Sequence, residues 1–456
     1  MSKRPLQHPL ALWMNGDKVG TWRALPGGDE LAYDAAWVAS PLGRPLSLSL
    51  PYQPGNAPLR SLAVRNYFDN LLPDSQPIRE RLARRFGTRT TEAFELLTQI
   101  GRDCVGALQI VPEGAAPGHV KRLLATPLNE DGVAQLLRAA TSPGPLAGTA
   151  SNAARSADDF RISIAGAQEK TALLWHQDQW WCPSGATPTT HILKLPLGMA
   201  GAMGNMGLDL RDSIENEWLC AQLLQAYGVP MARCHPLTFE DQHVLAVERF
   251  DRAWSGAGQW LMRLPQEDMC QATATPSYAK YEADGGPGID RILGVLSASR
   301  RRGPDRETFF RAQLLFWLLC APDGHAKNFS IALHAGGAFS LAPLYDVISA
   351  YPFMGKGARQ IAPQRVRLAM ALRVTNPHWR VRDITRRHWL EVGRRNGVVS
   401  DDGRGVDALI QDIVDKTPAV LGLVAAQLPK GFPSRVAEPL LNGLRSAVDT
   451  LARAAT

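Results

Sequence analysis

The chain is 456 residues long, with 45% hydrophobic and 20% charged residues. That ordinary globular balance excludes a wholly disordered chain, and at roughly 150 residues per domain the length predicts about three domains. A formal charge of +7 permits a nucleic-acid or acidic partner but excludes a chain built chiefly to coat nucleic acid.

Six cysteines, Cys104, Cys182, Cys220, Cys234, Cys270 and Cys320, are scattered with no C-x-x-C pair, which argues against a zinc cluster. Several sit in apolar runs and read as reduced thiols in a core, as in a reducing cytosol. The start, MSKRPLQHPLALWMNGD, has no long apolar core or small-residue cleavage site. The longest apolar run, Leu314 to Ala321, is far short of the ~20 residues that cross a bilayer. A soluble, cytoplasmic protein with no membrane partner is expected.

In chain order, residues 1–115 predict a compact α+β unit. LALWM and PLSLSLPY read as strands bounded by Gly and Pro. SLAVRNYFDNLLP reads as a helix ended by Pro73. A second helix follows Ser75 with Pro77 in its first turn, and TEAFELLTQI is a third. PEGAAPGH marks a boundary, LNEDGVAQLLRAA a short helix, and the small-residue stretch 141–159 a linker. TALLW, HILKL and HVLAV predict strands. Between the last two, SIENEWLCAQLLQAY predicts a helix, capped by Asp212 or Ser213 and stopped at Gly228. Residues 120–253 thus predict a strand-rich lobe. From 254 to 456 the pattern is mainly helical. ETFFRAQLLFWLLCA is apolar almost all round, as a central buried helix should be. A β-like pair, NFSIAL and AFSLAPLYDV, follows it, and an amphipathic helical tail ends the chain.

The sharpest chemical feature is CAPDGHAKNFSIAL, in which four residues separate Asp323 from Asn328. A protein-kinase catalytic loop uses this spacing to aim a base at the attacking hydroxyl and an amide oxygen at magnesium. Alone, Asp-Gly is also a common turn and Asn a common cap. Asp346, 23 residues beyond Asp323 in LAPLYDVISA, stands where a second hard oxygen ligand would, or a helix N-cap. Lys194 in THILKLP resembles a strand lysine that binds α- and β-phosphates, or is an outward-facing strand lysine. Glu215 and Glu217 on the next helix are candidates to pair with it, or ordinary solvated charges. ISIAGAQEKTALLW holds a small-residue turn, Ala165-Gly166-Ala167, whose N–H groups suit phosphates, or which is a plain hairpin turn. Phosphate loop, strand lysine, helix acid, catalytic Asp, metal Asn and metal Asp follow in the order of a two-lobed kinase. A metal hydrolase built on His325 and the acids lacks the paired-ligand spacing it would need.

The stretches FDNLLPDS, LLTQIGRDCVGALQIVP, ISIAGAQEKTALL, THILKLP, NEW, VERFDR, LPQEDMCQA, KYEADGGPGI, DGHAKNFSI and LYDVISAYP resemble the HipA toxins, serine/threonine kinases of bacterial toxin–antitoxin modules. The resemblance runs from about residue 10 to 440. It implies an α+β chain with a two-lobed protein-kinase-like fold and an extra N-terminal α+β subdomain, divided at 1–115, 120–253 and 254–456. It implies ATP and Mg2+ as cofactors, Asp323 as catalytic base, and Asn328 and Asp346 as metal ligands. Ile164, Ala165, Gly166, Ala167, Gln168, Glu169 and Lys170 would cover the phosphates and Lys194 would contact them, with His325 and Lys327 beside the nucleotide. VERFDR would be the hinge, with Glu248, Arg249 and Phe250 at the adenine.

Ser163 matches the family's autophosphorylation site. A phosphate there adds about −1.5 to −2 charges beside a loop meant for ATP phosphates, which should drive the loop out and switch the kinase off. The resemblance further implies a tRNA synthetase as protein substrate, glutamyl-tRNA synthetase first, and growth arrest or persistence as the outcome. It implies a HipB-type helix-turn-helix antitoxin, and operator DNA reached through the antitoxin complex. Basic clusters at Arg300, Arg301 and Arg302 and at Arg380, Arg382, Arg386, Arg387, Arg394 and Arg395 suit DNA phosphates, with Arg382, Arg386 and Arg387 the candidate contacts, or form a solvated helix face. Pro322 departs from the family pattern just before Asp323 and stiffens the approach to it. The alternative is an antitoxin-bound transcriptional corepressor in which catalysis is dispensable.

Overall fold

The computed structural model describes residues 8–141, 168–198, 208–256, 258–400 and 402–453. The predicted linker beyond Thr141, Ser163 and loop residues 164–167 lie outside the described residues. The chain forms two compact units. A sheet unit takes Met1–Leu195, Leu237–Tyr278 and Ile331–Ala338, and a helical unit takes Pro196–Pro236, Ala279–Ser330 and Phe339–Thr456.

In the sheet unit, β1 (Leu10–Met14), β2 (Asp17–Leu25), β3 (Gly28–Tyr33), β4 (Leu59–Arg60) and β5 (Leu108–Pro112) make an antiparallel sheet in the order β4-β3-β2-β1-β5. Asn15 and Gly16, between β1 and β2, have φ of +50° and +98°, a turn whose twist matches that of the flanking strands. The Asn15 amide then grips Arg263, donating to its carbonyl at 2.8 Å and accepting from its N–H at 2.9 Å. The inner face packs on the helices Leu62–Asp69 and Ala93–Ile100. There Trp22 lies flat on Phe68 at 3.7 Å and edge-on to Phe94, and all three are buried.

PLSLSLPY is not a strand. Leu46 and Leu50 are buried as the alternation suggests, but the backbone between them finds no ladder. The Leu48 N–H donates to the Glu267 carboxylate at 2.8 Å, and the Ser47 and Ser49 hydroxyls bond the Gln271 carbonyl. Prolines at both ends make such side-chain partners the workable answer.

A second sheet has the order β10-β11-β9-β7-β8-β6, built from β6 (Ala125–Leu128), β7 (Lys170–His176), β8 (Gln179–Pro183), β9 (His191–Lys194), β10 (Cys234–Phe239) and β11 (Gln242–Glu248). The helix Glu130–Thr141 covers it, burying Val133, Leu136 and Leu137.

The helical unit is centred on Arg302–Leu318, whose Phe309, Phe310, Leu314, Leu315 and Leu318 are fully buried. The helix Ser213–Ala226, expected in the strand-rich lobe, belongs instead to this unit. Just past its end the Tyr227 hydroxyl bonds Thr417 at 2.7 Å on the tail helix Val406–Ala426. Ser434–Arg453 is the last helix. Among the described residues no helix is long and apolar enough to cross a membrane. All six cysteines are buried and none is in a disulfide.

Candidate functional site

The loop after the central helix brings Asp323, Asn328 and Asp346 together. Asp323 and Gly324 begin it, a single 3-10 turn Ala326–Asn328 follows, and Phe329 is anchored against Phe309 and Phe316. A Cβ on Gly324 would be driven into the Phe316 ring, so the close passage of backbone over ring requires glycine. The Asn328 amide nitrogen donates to the Asp323 carbonyl at 2.8 Å and to the Asp346 carbonyl at 3.3 Å. With the nitrogen so engaged, Oδ1 is the end of the amide left to act as an acceptor.

Asp346 is held at its place by its flanks. Leu344 is paired with the 230–232 segment, donating to the Pro230 carbonyl and accepting from the Ala232 N–H, both at 2.8 Å. On the other side Asn216 clamps Ser349, donating to its carbonyl at 2.8 Å and accepting from its N–H at 2.9 Å. The Ser349 hydroxyl bonds the Leu319 carbonyl, and the Ala350 N–H bonds the Cys320 carbonyl. Asp346 itself has φ of +63°, an uncommon conformation that Asp tolerates better than most residues. Two carboxylates and one amide oxygen make a hard-oxygen donor set. That set suits magnesium, which favours one or two carboxylates and fills the rest of its shell from phosphates and water. Of the other two loop residues named from the sequence, His325 and Lys327 are both buried. The Lys327 carbonyl accepts from the Tyr345 hydroxyl, which also bonds Ser330.

In the sheet unit Lys194 ends β9, buried at 5% exposure, between β11 and β7. Lys170 stands directly opposite it on β7 and Leu245 on β11. Gln168 donates to the Leu195 carbonyl, and the Glu169 carboxylate pairs with Arg81 of the helix Gln76–Phe86. Glu217 is buried and Glu215 partly buried in the helical unit.

The predicted hinge departs from expectation at Arg249. Glu248 is exposed and Phe250 half-buried, but the Arg249 guanidinium is locked inside the sheet unit. It pairs with Asp251 at 2.7 Å and with Asp103 at 3.3 Å. Arg252 and Arg263 each reach Asp103 at 2.9 Å, and the Thr189 hydroxyl bonds it at 2.8 Å. Burial by itself would push the Asp103 carboxyl up, but the three guanidiniums together outweigh it and hold the group well below the usual carboxylate range. The side chain of Arg249 is therefore a structural tie, and its backbone is engaged too, the N–H donating to the Thr190 carbonyl at 2.8 Å and the carbonyl accepting from the Arg252 N–H at 3.2 Å.

Arg386 is likewise buried, paired with Asp407 at 2.8 Å. A guanidinium so enclosed is not presented to DNA phosphates, which corrects its assignment as a contact. Arg382 and Arg387 are exposed. Two residues that the motifs do not single out also belong to the site: Tyr281, whose hydroxyl bonds the Asp323 carboxylate, and the clamp residue Asn216. The signals for them lie in KYEADGGPGI, with its dense glycines, and in the Asn of the NEW stretch, set between Glu215 and Glu217.

Two family models match the chain: a HipA N-terminal domain at residues 10–111 and a HipA-like C-terminal domain at residues 162–421. A putative kinase, Y4mE, of Sinorhizobium fredii is 32% identical over 79% of this chain and 82% of its own length. The serine/threonine-protein kinase toxin HipA of Shewanella oneidensis is 25% identical over 70% of this chain and 69% of its own. The solved structure of a Shewanella oneidensis HipA, HipB and operator DNA complex matches with a TM-score of 0.74 at 20% identity, covering 98% of this chain and 99% of that one. Fold, matched domains and relatives agree, and this chain belongs to the HipA family.

Proposed function

We propose that this chain is a serine/threonine kinase of the toxin–antitoxin kind, transferring the γ-phosphate of ATP to a serine of a translation component, with glutamyl-tRNA synthetase the first candidate. The observation that carries the reading is the Asn328 amide, whose nitrogen binds the backbone carbonyls of both Asp323 and Asp346. One side chain thus ties a base and two metal-type oxygens together, as phosphoryl transfer requires. Asp323 accepts the serine proton as the serine oxygen bonds to the γ-phosphorus, and ADP leaves with the electrons of the broken P–O bond. Asn328 and Asp346 would hold Mg2+, which when bound neutralises charge on the phosphates. Lys194 and Lys170 would contact nucleotide phosphates, and the backbone groups of Glu248 and Phe250 would receive the adenine.

Ser163 is the proposed site of inactivating autophosphorylation. The proposed partners are a HipB-type antitoxin and, through it, operator DNA. The name of the Shewanella relative and the make-up of the solved HipA, HipB and operator complex support them. Phosphoproteomics after brief expression, comparing the unaltered chain with Asp323→Asn, tests the reading. New phosphoserines, including one on a tRNA synthetase, should appear only with the unaltered chain. Identical phosphoproteomes with intact antitoxin binding would leave the corepressor alternative.

A further inference from the structure

The segment KYEADGGPG is folded as a small rigid knot in the helical unit. A 3-10 turn spans Glu282–Asp284, and the N–H groups of Asp284 and Gly286 donate to the Tyr281 carbonyl at 3.0 and 2.9 Å. The Glu282 carboxylate accepts from the Ala371 N–H at 2.7 Å and pairs with Arg373. A Cβ on Gly286 would collide with the Ala279 carbonyl oxygen, and one on Gly288 with the Glu282 carboxyl. Only glycine lets the knot close this tightly. The Lys280 carbonyl accepts from the Ala326 N–H at 3.2 Å, which stitches the knot to the loop carrying Asp323. At its edge the Tyr281 phenol donates to Asp323 Oδ1, and its ring stands edge-on to His325 at 5.0 Å.

We propose that Tyr281 is the positioning residue of the phosphoryl-transfer base. By holding Oδ1 it fixes the Asp323 carboxylate and presents Oδ2 to the serine hydroxyl. This inference rests on the kinase reading and deepens it. The proton given up by serine passes to Oδ2, while Tyr281 keeps its own proton throughout. A phenol supplies the hydrogen bond without the full countercharge of a lysine or arginine, so the carboxylate is oriented yet stays a competent base. Tyr281 acts on the base and not on the nucleotide, so its hydroxyl should matter to turnover and not to ATP binding.

The test uses the full chain carrying Tyr281→Phe, which removes one oxygen. The readout is transfer of labelled γ-phosphate from Mg·ATP to protein serine. The rate constant should fall at least about tenfold, as loss of base alignment predicts, while the KM for ATP and the melting midpoint stay unchanged. Adding Tyr281→Phe to Asp323→Asn should bring no further loss, because the two act as one unit. Undiminished transfer by Tyr281→Phe beside an active unaltered chain overturns the proposal. So does a loss shared with a raised KM or a lowered melting midpoint, which would make Tyr281 merely structural. An unaltered chain that transfers no more phosphate than Asp323→Asn overturns the kinase reading itself, and this assignment with it.

Discussion

Replacing Glu267 by glutamine should flatten the pH dependence of the sheet unit's stability. Glu267 is fully buried, and Oε1 accepts from the Leu48 N–H while Oε2 has no hydrogen-bond partner among the described residues. Burial pushes its carboxyl up to about 8, more than the hydrogen bonds from Ser47 and Leu48 pull it down. The folded chain therefore keeps a proton that the unfolded chain releases near pH 4.5. Stability is fully present below that pH and falls as pH rises, by about 1.4 kcal/mol per unit, until the folded group itself ionises near pH 8. The whole drop is of order 3–5 kcal/mol. The glutamine side chain is a neutral isostere that still accepts from Leu48, so the Glu267→Gln variant loses the dependence and gains stability relative to the parent in alkaline solution. Melting midpoints of both proteins at several pH values spanning mild acid to mild alkali measure this. Parallel curves, with the variant no flatter than the parent, would refute the reasoning.

Asp103→Ala should destabilise the sheet unit by about 3–5 kcal/mol, because three buried guanidiniums lose their shared carboxylate; denaturant unfolding followed by tryptophan fluorescence reads it. Replacing Arg382 and Arg387 together by Ala should reduce the salt slope of operator binding by the antitoxin complex, by about 0.9 for each phosphate no longer neutralised. Phosphate transfer should be untouched. Arg386→Ala should instead lower the melting midpoint, since it empties the buried place of the guanidinium and removes its tie to Asp407.

Much of the candidate site is legible in the sequence because it is local. Asp323 and Asn328 sit in one loop, and the 3-10 turn between them makes their spacing a geometric fact. The central helix is equally readable, since a segment apolar on every face has only an interior to occupy. What the sequence hides depends on partners far along the chain. Arg249 is expected at the adenine, and nothing near it in sequence announces Asp103, 146 residues earlier, which its guanidinium shares with Arg252. PLSLSLPY alternates like a strand, yet its Leu48 N–H is taken by Glu267 and its Ser47 and Ser49 hydroxyls by the Gln271 carbonyl, more than two hundred residues away. The helix Ser213–Ala226 follows strands in sequence, but Asn216 and Tyr227 tie it to Ser349 and Thr417. Arg386 reads as one more surface arginine because nothing in its neighbourhood announces Asp407.

The central claim is that Asn328 and Asp346 of the helical unit serve one Mg·ATP. Calorimetric titration of a non-hydrolysable ATP analogue with Mg2+ tests it most directly, using the unaltered chain, Asn328→Ala, Asp346→Asn and the double variant. The account predicts that each single change weakens binding of the same nucleotide by at least about tenfold, the worth of one charge-assisted interaction. It also predicts that the double variant loses less than the two effects combined, as coupled groups do. Binding that is unchanged by either substitution would contradict it.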